Sequence, residues 1–468
     1  MKKAFGLLIA MAAYTCTFAQ SPVIIQKDPL IEKMVSEVSA DSLHATILKL
    51  VSFGTRNTLS TTTDPKRGIG AARNWILSKL NTYAKTSGGR LTVKLDTNNY
   101  RPDGKRIDVP VILTNVVATL KGTDPNDHRV FIISGHMDNM RTSVMDREGD
   151  APGANDDGSG SAAVMECVRI MSKQSFPATV IFVTVCGEEQ GLIGSNFMAV
   201  NAKKNAWEIG AVLNNDIMGS NNSNETNIIE NTKVRVFSEG LPAIGMDAQK
   251  AAAIRASGLE NDGPSRQLAR YIKETGERYV DNLEVFMVYR PDRFGRGGDH
   301  LSYQLQGFTA VRITEMNENF RHQHQNIRTE NGLEYGDLPE YMDFEYLRKN
   351  TALNLCNLAN LAKGPSVPLD VTIYTAGLGG NSTSLLWKAP ATGKPKGYYV
   401  MMRETTSPVW QKKFFTTDNT IKLPYSKDNY FFAIQSVSTD GNESLPVVPS
   451  VLRRTNSAAT PAVPAKGQ

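Results

Sequence analysis

The sequence predicts an α/β fold: a three-layer α/β/α sandwich with a mainly parallel central sheet, followed by an all-β immunoglobulin-like sandwich. Three observations carry this expectation. Strand-like and helix-like runs alternate from about residue 110 to 315, the pattern of βαβ units. After Lys363 the helix-like runs stop and short alternating segments take over. Several strand-like runs of the first region end in His, Asp or Glu, and in open α/β sheets such ends line the ligand crevice.

The chain opens with MKKAFGLLIAMAAYTCTFAQS. Two lysines precede an apolar core and small residues, so residues 1–19 read as a secretory signal peptide cut after Ala19. The apolar run is too short to favour a membrane span. A lipoprotein anchor on Cys16 is the rival, and the bulky Tyr14 just upstream argues against it. The expected localisation is secreted, periplasmic or extracellular.

A first domain is expected over residues 22–363. Leading helices and an edge hairpin occupy residues 22–109, with Ser39 or Asp41 as N-cap of SADSLHATILKLVSF. VPVILTNVVATLKG and HRVFIISGHMD read as strands, DGSGSAAVMECVRIMSK as a helix. ATVIFVTVCGEE is a strand, GLIGSNFMAVNAKK a helix and IGAVLNNDIMG a strand. SRQLARYIKETGERY is a helix, LEVFMVY and TAVRITEM are strands, and DFEYLRKNTALNLCNLANLAK is a long closing helix. GPSVPLD gives a linker over 364–367. The second domain, residues 368–450, has the strand-like runs STSLLWKAP, KGYYVMMRE, NTIKLPYS and NYFFAIQSVSTDGNES. With Trp387, Tyr398, Tyr399, Leu423, Phe432 and the run Asp440 to Ser444, it resembles a fibronectin type III module. The tail over 451–468 has almost no large apolar residue and is expected to be disordered.

Composition narrows the function. The chain has 468 residues, 40% hydrophobic and 21% charged, with net charge +5, as a soluble globular protein of two or three domains does. No Lys/Arg-rich block points to nucleic acid, and no later segment suits a membrane span. Cys167, Cys186 and Cys356 are too widely spaced for a disulfide framework and read as buried thiols.

The chemistry gathers at strand ends. His136 and Asp138 end one strand, Glu188 and Glu189 the next, and Asp216 a third. Asp156 and Asp157 precede a helix, where acids also serve as N-caps. His and carboxylate ligands without thiolates suit a catalytic zinc. Two more histidines, His322 and His324, fall in RHQHQNIRT, after the strand TAVRITEM.

In order, GHMDN, GANDDGSGSAAVME, CGEEQGLIGS, LNNDIMGS, GRGGDHLSY and RHQHQNIRT resemble the secreted co-catalytic zinc aminopeptidases, the aminopeptidase Y type of zinc exopeptidase, across roughly residues 40–360. The resemblance implies two zinc ions and hydrolysis of peptide or protein substrates. His136 and Asp216 would hold one zinc, Glu189 and a late histidine the other, and Asp156 would bridge. Glu188 would be the general base that activates the attacking water. Asp138 would hold the His136 imidazole by a hydrogen bond. His324 is favoured over His322. Where some relatives place a Tyr before that histidine, this chain has Gln323. Asp299 and His300 match the family's Asp-His pair.

Removal of N-terminal amino acids is the expected activity. A carboxypeptidase or dipeptidase would need a cationic clamp, for which Arg293, Arg296 and Arg321 are candidates. A catalytically dead surface-binding protein and an acyltransferase or cyclase on the same fold are the other classes weighed. The C-terminal module would contact polysaccharide or a cell surface, or act as a spacer.

Overall fold

The computed structural model describes residues 23–242, 244–374 and 380–452. The expected signal peptide falls on residues outside this range, as does the tail from residue 453 on.

Three helices lead: α1 (Pro29–Ser36), α2 (Ala40–Val51) and α3 (Gly68–Ala84). Ser39, not Asp41, caps α2, accepting from the Ser42 amide. The hairpin β1 (Leu91–Tyr100) and β2 (Val111–Leu120) forms one sheet edge. Next come β3 (Arg129–His136), α4 (Gly158–Met171), β4 (Thr179–Val185), α5 (Ile193–Lys204) and β5 (Glu208–Asn215). The second half adds β6 (Lys233–Phe237), α6 (Ala248–Ser257), α7 (Pro264–Tyr279), β7 (Glu284–Val288), α8 (His300–Gln304) and β8 (Ala310–Glu315). A small hairpin, β9 (Arg328–Glu330) and β10 (Leu333–Tyr335), precedes the closing helix α9 (Phe344–Lys363).

The eight-stranded sheet runs β1-β2-β4-β3-β5-β8-β6-β7. Its centre, β4-β3-β5-β8, is parallel, and β2 and β6 pair with that block antiparallel. The three strands expected to end in metal-type ligands, β4, β3 and β5, are therefore neighbours. Their buried runs are apolar on both faces, as a covered parallel sheet requires. On one face Val117, Ile132, Val183 and Val212 pack against Met198 of α5 and Tyr303 of α8. On the other, Phe131, Ile133 and Leu213 join a large core that includes Val164 of α4, Leu268 of α7 and Leu353 of α9. This is the α/β/α sandwich.

The sequence reading omitted β6, α6, α8 and the β9–β10 hairpin. The helix α6 buries no residue, so it lacks the apolar stripe that betrays a helix. KVRVF of β6 is five residues with two cations, and α8 is only five residues long.

Beyond α9 lie β11 (Leu369–Tyr374), β12 (Thr383–Lys388), β13 (Gly397–Glu404), β14 (Lys412–Thr416), β15 (Thr420–Leu423), β16 (Tyr430–Val437) and β17 (Ser450–Leu452). They form a four-stranded sheet, β15-β12-β11-β17, and a three-stranded sheet, β14-β13-β16. Trp387, Tyr398, Leu423 and Phe432 all lie in the core between them. The final strand continues to Leu452 because it pairs in parallel with β11, so the chain is still in the sheet where a disordered tail was expected to begin. The joint at 364–367 is also no free linker. Arg129 donates to the carbonyls of Gly364 (2.8 Å) and Pro365 (3.1 Å), and Ser366 pairs with Thr392.

Candidate metal centre

The ends of β4, β3 and β5 meet at a cleft of about 300 Å³. His136, Asp156, Glu188, Glu189, Asp216 and His324 all line it. Each arrives by a different local device.

His136 is the last residue of β3. Its Nδ1 lies 3.0 Å from the Asp138 carbonyl oxygen, which turns Nε2 toward Asp156 Oδ1 at 3.2 Å and Asp216 Oδ1 at 3.9 Å. Asp156 and Asp157 take opposite roles. Asp157 is the N-cap of α4; its carboxylate accepts from the amides of Gly160 (2.8 Å), His136 (2.8 Å) and Ile217 (3.2 Å). Asp156 turns into the cleft. The small residues after them let α4 sit against the sheet: a Cβ at Gly160 would lie 2.6 Å from the Asn215 carbonyl, and one at Gly135 would lie 2.4 Å from Gly160.

Glu188 and Glu189 follow β4 through Gly187, whose φ of +83° suits glycine. The Asp138 carboxylate holds this turn, accepting from the amides of Gly187 (2.9 Å), Glu188 (3.3 Å) and Glu189 (3.2 Å) and from the Thr58 hydroxyl (2.9 Å). That corrects the expected role of Asp138. Its carboxylate is 3.9 Å from the His136 ring nitrogen, too far for a hydrogen bond, because four other donors have captured it. The main-chain oxygen of Asp138, not the carboxylate, orients the imidazole.

His324 comes from the loop after β8. Its Nε2 lies 2.8 Å from Asp156 Oδ2 and 3.2 Å from Glu189 Oε1. His322 faces away, its ring stacked on Tyr341 with centroids 3.7 Å apart. Gln323, at the position between them, donates to Asp156 Oδ2 at 3.1 Å. Asp299 and His300 lie behind the cleft, fully buried; His300 Nε2 is 2.8 Å from the Pro291 carbonyl. Arg293 and Arg296 line the cleft, whereas Arg321 donates to the Asn224 carbonyl.

Three further side chains position the site and were not singled out from the sequence. Arg56, fully buried, donates to the carbonyls of Met137, Pro152 and Gly153 (2.6–2.8 Å), tying together the loops that carry Asp138 and Asp156. Asp337 accepts from the amides of Asn155 (2.8 Å) and Asp156 (2.7 Å), and burial pushes its carboxyl up to about 7. Arg312, fully buried in β8, lies 3.0 Å from Asp216 Oδ1. Arg56 and Asp337 left no signal, since their partners are 81 to 182 residues away. Arg312 did leave one: a cation in the middle of TAVRITEM needs a buried acid as partner.

The donor set fits metal ions. Three groups of ligand atoms each lie within 4.8 Å of one another: His136-Asp156-Asp216 and Asp156-Glu189-His324, which share Asp156, and His136-Glu188-Glu189, which brings Glu188 beside both. Buried Glu189 Oε1 is near His324 but accepts no hydrogen bond. Burial, together with Glu189, Asp216 and Asp299, pushes Glu188 well above the usual carboxylate range despite the pull of His136. Burial alone would lower His136 and His324, yet the acids around each carry them well above the ordinary imidazole value. Bound dications would relieve this crowding by favouring ionised acids and neutral imidazoles.

Comparison with known proteins places the chain in a family. The model of Peptidase family M28 matches residues 115–335, which span every residue lining the cleft except Arg106. A probable zinc metalloprotease of Leptosphaeria maculans is 42% identical over 420 residues, 90% of this chain and 96% of that protein. The chain belongs to peptidase family M28. A probable zinc metalloprotease of Pyricularia oryzae is also 42% identical, over 428 residues, covering 90% of this chain and 84% of that protein. Among solved structures, the LapA aminopeptidase of Legionella pneumophila matches with a TM-score of 0.50 at 20% identity, over 73% of this chain and 78% of that one. LapB of the same organism gives 0.50 at 16% identity, over the same shares. At these identities the two structures speak for the fold.

Proposed function

We propose that this M28 peptidase is a secreted exopeptidase that holds two zinc ions and releases N-terminal amino acids. One observation carries the reading: two ligand groups share Asp156, and Glu188 stands beside them in the same cleft. His136 and Asp216 would hold one ion, Glu189 and His324 the other, with Asp156 between them. Bound zinc supplies carbonyl polarisation and a lowered pKa for water.

The chain's own residues do the rest. The Glu188 carbonyl accepts from the amides of Gly191 and Leu192, but its carboxylate takes no hydrogen bond among the described residues and is more open than that of Glu189. It is free to take a proton from the attacking water and pass it to the leaving amine. Asp138 fixes the main chain on which Glu188 sits. Arg312 holds Asp216 in place. Secretion rests on the N-terminal leader pattern. The C-terminal unit we read as a fibronectin type III-like module, a reading its four-plus-three strands support; contact with polysaccharide or a cell surface would fall to it.

The test is a chromogenic aminoacyl-amide panel on zinc-loaded protein, with metal content measured on the same samples. Chelator should abolish activity. Glu188→Gln should keep its metal and lose roughly 10²–10⁴-fold in kcat; a fully active variant removes Glu188 from the mechanism. Peptides with free or blocked amines distinguish the direction. Cleavage of N-blocked peptides alone would overturn the aminopeptidase assignment.

A further inference from the structure

We propose that Arg106 and Arg296 form a carboxylate-binding subsite at the mouth of the cleft, so that preferred substrates carry a carboxylate close to the scissile bond. This rests on the peptidase reading above.

The cleft is lined by four acids, Asp156, Glu188, Glu189 and Asp216, and by three arginines, Arg106, Arg293 and Arg296. Two divalent cations would balance the four acids, leaving the arginines to set the sign of the loaded site. Arg293 is already engaged. Its Nε lies 3.0 Å from Asp292 Oδ1, its Nη1 2.8 Å from Glu318 Oε2, and its Nη2 donates to the Gly297 carbonyl.

The other two arginines have no such partners. Among the described residues, no carboxylate lies within 4.0 Å of Arg106 or Arg296. Arg106 Nε donates to the Glu189 carbonyl at 2.8 Å. That bond pins the guanidinium against the turn that carries Glu188 and Glu189, while Nη2 contacts only the Met140 sulfur at 3.9 Å. Arg296 is exposed and sits between Gly295 and Gly297, both of which also line the cleft.

The two side chains reach the cleft from different parts of the fold. Arg106 lies in the loop before β2, beside the sheet edge, and Arg296 in the loop between β7 and α8. A guanidinium offers a carboxylate two parallel N–H donors, and one held in place beforehand loses less freedom on binding. The bond to the Glu189 carbonyl sets Arg106 apart from an ordinary solvated arginine, and Arg296 adds a second guanidinium on the cleft wall.

A carboxylate near the scissile bond has two sources: the C-terminus of a dipeptide, or an Asp or Glu side chain. The experiment uses the zinc-loaded full chain and two matched substrate pairs. One compares glutamyl with glutaminyl p-nitroanilide; the other compares alanyl-alanine with its C-terminal amide. The expected result is at least a tenfold preference in kcat/KM for the carboxylate member of one pair, and the pair that shows it identifies the source. Arg106→Gln and Arg296→Gln should each reduce that preference at least fivefold, mainly through KM. Raising the salt should weaken it in the native chain more than in the variants.

Equal losses on both members of a pair would make these arginines structural and overturn the proposal. So would cleavage of the wider panel with no carboxylate preference, an outcome that leaves the peptidase reading intact. A zinc-loaded chain that cleaves nothing in that panel defeats the peptidase reading and this subsite together.

Discussion

His322 and His324 differ by a single intervening residue, yet the fold gives them unrelated surroundings. An extended chain would point both the same way, so spacing does not separate them, and the preference for His324 rests on the family resemblance. The backbone at His324 is not extended; its φ is +53°. This left-handed turn swings the ring to Asp156 and Glu189, while His322 stacks on Tyr341 with only 8° between the planes. Left-handed conformations cost a non-glycine residue of order 1 kcal/mol and persist where the surroundings enforce them. His324→Ala should therefore lower the metal content by about one ion per chain, whereas His322→Ala should leave it unchanged. Elemental analysis after dialysis against buffered zinc decides the matter, and the reverse pattern would exchange the two assignments.

At the scale of elements, one side chain joins three of them. The Asp157 carboxylate accepts from the first turn of α4, from the end of β3 at His136, and from Ile217 just after β5. Loss of an N-cap costs about 1 kcal/mol, and each buried amide left without an acceptor about 1–3 kcal/mol more. Asp157→Ala should destabilise the metal-free chain by about 3–7 kcal/mol and weaken zinc binding, since His136 and Asp216 flank the same joint. Asp157→Asn retains one acceptor oxygen, so its loss should be smaller. Urea unfolding and a zinc-competition titration measure the two effects; an alanine variant as stable as the native chain would show that α4 does not depend on this cap. Elements of this kind were legible in the sequence wherever burial imposed a period. The strands β3, β4, β5 and β8 and the helices α4, α7 and α9 all bury a face in one core, and the acids at their ends stood out against apolar runs. What was not legible had either no burial, as in α6, or distant partners, as with Arg56 and Asp337. The role of Asp138 was misread for a related reason: its proximity to His136 was visible in the sequence, but the competing amides of residues 187–189 come from another strand.

Across the whole molecule, the C-terminal sheets are fastened to the peptidase unit by buried charge rather than by a loose tether. Glu443 is almost fully buried and meets Arg278 of α7 through two contacts, 2.8 and 3.0 Å. Asn360 of α9 donates to the same carboxylate at 2.9 Å, and Tyr271 to the Glu443 carbonyl at 3.0 Å. A second knot joins Asp262 to Arg270 of α7 and to Arg403 of β13. Removing one partner of a buried ion pair leaves the other charge unmet, at about 3–5 kcal/mol. The native chain should thus unfold in a single transition, with both units reporting together. Glu443→Ala should lower the stability by that amount and separate the C-terminal unit as an earlier step. The four tryptophans allow this to be read directly: Trp75 and Trp207 lie in the peptidase unit, Trp387 and Trp410 in the C-terminal one. Urea melts of a variant with phenylalanine at 75 and 207, and of another with phenylalanine at 387 and 410, should coincide when Glu443 is present and diverge in the alanine background. Coincident curves in both backgrounds, with an unchanged midpoint, would show that Glu443 contributes nothing to the coupling and that other contacts between the units carry it.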